Sequence, residues 1–165
     1  MRKFICVLAL AAVTGCDYTT PLVERSKQEI DPALVGLWQR PEGTKNQADS
    51  LLVLPLTRHE YLVSFPAGSP KSMFARATHC DVAGLRLMQL EWLGTGEAQL
   101  PEDNRVFQFV TYDLDNGHIA IRLLNPKRVN RNAGTAAALA QAITSNKNQA
   151  DLFHQEMVFK RTPGK

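Results

Sequence analysis

The feature that most constrains this chain is an alternation of apolar and polar residues. It runs, broken by turns, from Leu37 to Leu124. Apolar side chains at every second residue suit a half-buried β-strand, because successive side chains leave a strand on opposite faces. His59–Phe65 puts Tyr61, Val63 and Phe65 on one face and Glu60 and Ser64 on the other. Leu85–Leu93 puts Met88, Leu90 and Trp92 opposite Gln89 and Glu91. Leu51–Leu56, Met73–His79 and His118–Leu124 read as further strands, with Ile119, Ile121 and Leu123 inward in the last. Pro55 suggests an edge or a bulge in its strand. Arg105–Leu114 is apolar on both faces, with Phe107 and Phe109 on one and Val106, Val110 and Tyr112 on the other. The connectors are turn sequences. Asp115-Asn116-Gly117 is the strongest, because Asn-Gly suits a type I′ hairpin.

The period changes near Thr135. Thr135–Ser145 is alanine-rich, with Leu139 and Ile143 four residues apart, and reads as a helix. Gln155–Arg161 reads as a last strand. Asp31-Pro32-Ala33-Leu34 reads as one helical turn ahead of the first strand, with Asp31 at the N-cap. The fold class is therefore mainly β: an antiparallel meander of about eight strands, with one α-helix near 135–145 before the last strand. A meander of this size must hide its edges, and closure into a small barrel does so. A length of 165 residues suits a single domain.

The N-terminus has a different pattern. Met1-Arg2-Lys3 is basic, and Phe4–Val13 is an uncharged, mostly apolar run. As a helix that run reaches only about 15 Å, too short for a bilayer core but right for a secretory signal. It ends Val13-Thr14-Gly15-Cys16, which resembles the lipobox of bacterial lipoproteins. The resemblance implies cleavage before Cys16, a diacylglycerol on its thiol and a location on the periplasmic side of the cell envelope. Two or three acyl chains, at about 0.8 kcal/mol per buried methylene, make a stable anchor. Asp17 resembles the retention signal for the inner membrane in enterobacterial lipoproteins. That rule differs between bacterial groups, so the outer membrane stays open. The expected organisation is a signal peptide over 1–15, a lipidated Cys16 with a polar tether over 16–30, and one β-rich domain over 31–165.

Loss of the signal removes Arg2 and Lys3 and no acid from the 19 basic and 16 acidic residues, so the mature chain is close to neutral. Such a balance does not suit a nucleic-acid binder. Cys6 leaves with the signal, Cys16 becomes a thioether, and Cys80 alone remains as a thiol. An intramolecular disulfide is thereby excluded.

Gly36-Leu37-Trp38 stands at the first strand, directly after the short helical turn. This G-x-W resembles the start of lipocalins and lipocalin-like domains, which also place a helix before a final strand. The resemblance implies that Gly36 and Trp38 close one end of the barrel, with Arg161 or Arg122 packed over the tryptophan. The Thr-Asp-Tyr turn motif of the family is absent.

No catalytic constellation stands out. His79-Cys80-Asp81 holds a thiol beside a histidine, but strand neighbours face apart. His59-Glu60 lacks the second histidine of a zincin helix. Asp113-x-Asp115-Asn116-Gly117 lacks the distal glutamate of a calcium loop, Leu124 standing in its place. Glu102-Asp103 reads as a solvated pair. No metal, cofactor or enzyme activity is expected. The aromatic set Tyr61, Phe65, Trp92, Phe107 and Phe109 is expected to line the barrel interior. Lys127, Arg128 and Arg131 form a basic cluster that suits anionic headgroups or a solvated loop. The sequence thus leaves two functions: a tethered barrel for a small apolar ligand or lipid, or an accessory or inhibitory lipoprotein docking on an envelope complex, with the loop Gly94–Asn104 as its contact.

Overall fold

The computed structural model describes residues 18–41, 50–101 and 103–163. A single helical turn, Pro32–Leu34, precedes eight strands: β1 (Gly36–Gln39), β2 (Ser50–Pro55), β3 (Glu60–Phe65), β4 (Met73–Val82), β5 (Leu85–Thr95), β6 (Phe107–Asp115), β7 (His118–Leu124) and β8 (Phe153–Arg161). One α-helix, α1 (Ala136–Asn146), lies between β7 and β8. The strands follow chain order around a closed antiparallel barrel, as the alternation implies. Among the described residues the closing seam pairs Trp38 with Arg161 and Gln39 with Lys160. Pro55 is at neither an edge nor a bulge; it ends β2, opposite Tyr61. Asn116 and Gly117 take the positive φ values, 47° and 75°, that a type I′ turn requires.

The apolar core has two layers, one on each side of the barrel wall. The inner layer includes Trp38, Val53, Tyr61, Ala77, Met88, Val110, Ile119 and Phe159. The outer layer packs Cys80, Leu87, Phe109 and Leu124 against Leu139 and Ile143 of α1 and against Tyr18, Val129 and Leu152. The helix starts where Thr135 accepts a hydrogen bond from Ala138 N, at 3.1 Å. Burying Leu139 and Ile143 against β4–β6 contributes about 1.5–3 kcal/mol each.

The N-terminal segment departs from expectation. Its polarity suggests a free tether up to residue 30, but residues 18–30 lie along the outside of the barrel. Tyr18 is 1% exposed and exchanges two 3.0 Å backbone hydrogen bonds with Phe107. Leu22 N and Val23 N both donate to the Gln89 side-chain oxygen, at 2.7 and 3.2 Å, and its amide donates to Val23 O at 2.9 Å. The few apolar residues of the segment, Tyr18, Leu22, Val23 and Ile30, pack on the barrel, and Gln89 satisfies the backbone between them.

Candidate functional site

The barrel has two unlike ends. At the end where β1 enters, Trp38 is fully buried and its indole N–H donates to Leu34 O at 3.0 Å. The Arg161 guanidinium lies 4.6 Å from the Trp38 ring centroid and donates to Ala33 O. Arg161, not Arg122, is the basic residue over the tryptophan; Arg122 pairs with Asp113 and Glu156. Gly36 has φ +147°, and a Cβ there would come within 3.9 Å of the Arg161 guanidinium. These groups plug that end.

The opposite end carries the β3–β4 turn, the β5–β6 loop and the long β7–β8 connection. Inner-wall residues near this loop end are only half-buried: Val63, Phe65, Leu90, Trp92 and Leu123. Farther in, Tyr112, Ile121 and Met157 are half-buried too. Gln108, paired with Leu90 on the inner face, is buried, and its side-chain oxygen has no partner among the described residues. Buried polar atoms are nearly always paired, so this acceptor marks a place for a water or a ligand donor. The Arg40 guanidinium lies 5.3 Å from the Phe159 ring.

A polar cluster stands inside the wall nearer the plug. The Tyr61 hydroxyl accepts from Asp31 N at 2.6 Å and lies 3.0 Å from His79 Nε2. Burial pushes the Tyr61 phenol up to about 12. Burial, and then the nearby Arg86 charge, lowers the His79 pKa. The Tyr61 hydroxyl also reaches Asp31 O at 3.4 Å, and His79 Nδ1 is buried with no partner among the described residues. The His79 and Tyr112 rings stand 6.2 Å apart. Burial raises the Tyr112 phenol as well. The sequence reading passed over this cluster. The shared odd-numbered face of β3 and β4 was visible, but the register that brings Tyr61 beside His79 was not.

The expected aromatic lining divides. Register and packing put Tyr61, Phe65 and Trp92 on the inner wall, with Tyr61 deep and fully buried. Phe107 and Phe109 are not lining residues; they lie on the outer face. Phe109 pairs with Gln89 and stands edge-on to Tyr18 at 5.2 Å. Val110 and Tyr112 take the inner face instead. Both faces of β6 are apolar because both are covered, so alternation alone could not tell inside from outside.

Cys80 belongs to the outer layer, facing away from His79, and burial pushes its thiol up to about 12. A thiol so protonated is a poor nucleophile. Arg128 holds Asp151 at 2.8 Å, and Arg105 holds Asp103 at 2.8 Å. A groove of about 370 Å³ lies outside the barrel, lined by charged and polar residues that include Arg25, His59, Glu60 and Arg76. Cys16 and Asp17 lie outside the described residues. No family model, curated protein or solved structure matches the chain.

Proposed function

We propose that the protein is a bacterial lipoprotein, anchored through Cys16 on the periplasmic side of the envelope, whose lipocalin-like barrel binds a small, mostly apolar molecule. One observation carries the reading: a barrel plugged at one end has a half-buried apolar inner wall towards the other, with an unpartnered acceptor on Gln108. The plug of Gly36, Trp38 and Arg161 supports the lipocalin-like comparison. The ligand suited to this wall has an apolar body and a hydrogen-bond donor for the Gln108 oxygen. Asp17 supports the inner membrane as the site of anchoring. Binding, not turnover, is the proposed role.

The test is a titration of the detergent-solubilised mature protein with a fluorescent fatty-acyl probe, alongside native mass spectrometry for a co-purified adduct. Saturable binding with energy transfer from Trp92 is the expected result, and Trp92→Phe should lower the transfer to what Trp38 alone supplies. Gln108→Leu should weaken a donor-bearing probe about tenfold, the equivalent of about 1.4 kcal/mol. Absence of both adduct and probe binding would overturn the ligand-binding role. The alternative, an accessory protein reaching an envelope complex on a polar tether, loses part of its motive because residues 18–30 are packed.

A further inference from the structure

The position of Tyr18 fixes where an anchor on Cys16 would leave the barrel. Tyr18 pairs with Phe107, the first residue of β6, and so lies at the loop end. Its hydroxyl donates to Val129 O at 3.5 Å, and Thr20 donates to Ala133 O at 2.7 Å, both in the connection after β7. From there the chain runs along the wall towards the plug, past Gln89, to Gln28 on Asp81 and Asp31 on Tyr61. Cys16 is two residues before Tyr18, and two extended residues span at most about 7 Å. A lipidated Cys16 is therefore held beside the loop end and cannot reach the plug.

The geometry points to a fixed orientation: the barrel rests with its loop end on the bilayer and its plugged end away from it. This rests on the lipid-anchor reading. The partner is a phospholipid surface carrying anionic headgroups. The same end presents what such a surface takes. Leu100, in the loop entering β6, is 72% exposed. Lys127 and Arg128 are exposed in the connection that holds Tyr18 and Thr20, and Arg131 is half-buried there. An exposed leucine and basic side chains at one barrel end fit the headgroup boundary, where apolar groups enter and cations meet phosphate.

The experiment uses the acylated full-length product in vesicles of phosphatidylethanolamine and phosphatidylglycerol. An environment-sensitive fluorophore is placed by Leu100→Cys at the loop end or by Asn116→Cys at the β6–β7 turn. Quenching by headgroup-labelled lipid is read for each, with intact mass reporting acylation. The Leu100 position should be quenched several-fold more than the Asn116 position. Replacing Lys127 and Arg131 by Gln should lower the vesicle affinity of a detergent-released sample about tenfold. Tyr18→Ala, which removes the ring packed on Phe109 and the hydroxyl bond to Val129, should shrink the difference between the two positions while acylation is unchanged. Equal or reversed quenching on fully acylated protein would overturn the orientation and leave the anchor standing. An unmodified Cys16 would overturn both.

Discussion

Arg161 and Trp38 show how few side chains close this barrel end. The guanidinium lies over the indole and also satisfies the Ala33 carbonyl, so it holds the helical turn and the β1–β8 seam together. Trp38→Ala should destabilise the domain by about 3–5 kcal/mol. Arg161→Leu should cost about 1–2 kcal/mol, through lost cation–π attraction and an orphaned carbonyl. Urea unfolding followed by far-UV circular dichroism measures both. His79 gives a pH dependence. Its folded pKa lies below the ordinary value of 6.5. The unfolded chain therefore takes up the proton first as pH falls. Stability should be level above about pH 6.5 and decline below it until the folded pKa is reached. His79→Gln should remove that share of the decline, seen as a smaller gap between unfolding midpoints at pH 7 and pH 5. Cys80 should stay silent to a thiol reagent until denaturant is added, since it is buried and its thiol stays protonated.

At the scale of elements, the alternation was enough to place the strands, and the errors have a common physical source. Met73–His79 continues to Val82, and the last strand begins at Phe153, two residues before Gln155. Polar residues inside strands concealed both extensions. The alternation points Phe107 and Phe109 inward although they face the outer apolar layer, because periodicity records burial without recording against what. The segment 18–30 is unreadable for another reason: Tyr18, Leu22, Val23 and Ile30 pack on the barrel at no regular period, and hydrogen bonds hold the chain between them. Gln89 is the centre of that attachment, with three bonds to Leu22 and Val23. Gln89→Ala leaves those backbone groups without their protein partner and should cost about 1–3 kcal/mol. Hydrogen exchange should then show faster exchange at Leu22 and Val23, with the barrel strands unchanged.

For the whole molecule, closure was inferable because a meander cannot leave two bare edges, yet the position and strength of the seam were not. Among the described residues two residue pairs join β1 to β8, whereas β4 and β5 pair along ten residues each way. Native-state exchange should therefore find its lowest-energy opening at Trp38–Gln39 and Lys160–Arg161 and its highest in β4 and β5. The paired ends also explain why the candidate site escaped the sequence. Gln108 and His79 carry no motif; each stands out only once the wall around it is known to leave an atom unpaired. In the orientation proposed above, with the loop end against lipid, an apolar ligand would pass between bilayer and barrel without crossing water.

The packed segment has a mechanical side as well. On the proposed anchor at Cys16, a pull that draws the domain away from the membrane would load the Tyr18–Phe107 bridge first, then the Gln89 bonds, then the contacts of Gln28 and Asp31. These lie in series, so they would peel one after another and not fail together. Freed from Tyr18 to Asp31, the chain would pay out about 45 Å of line. On that proposal, the residues that would hold the barrel close at rest also make a graded, extensible mooring under strain.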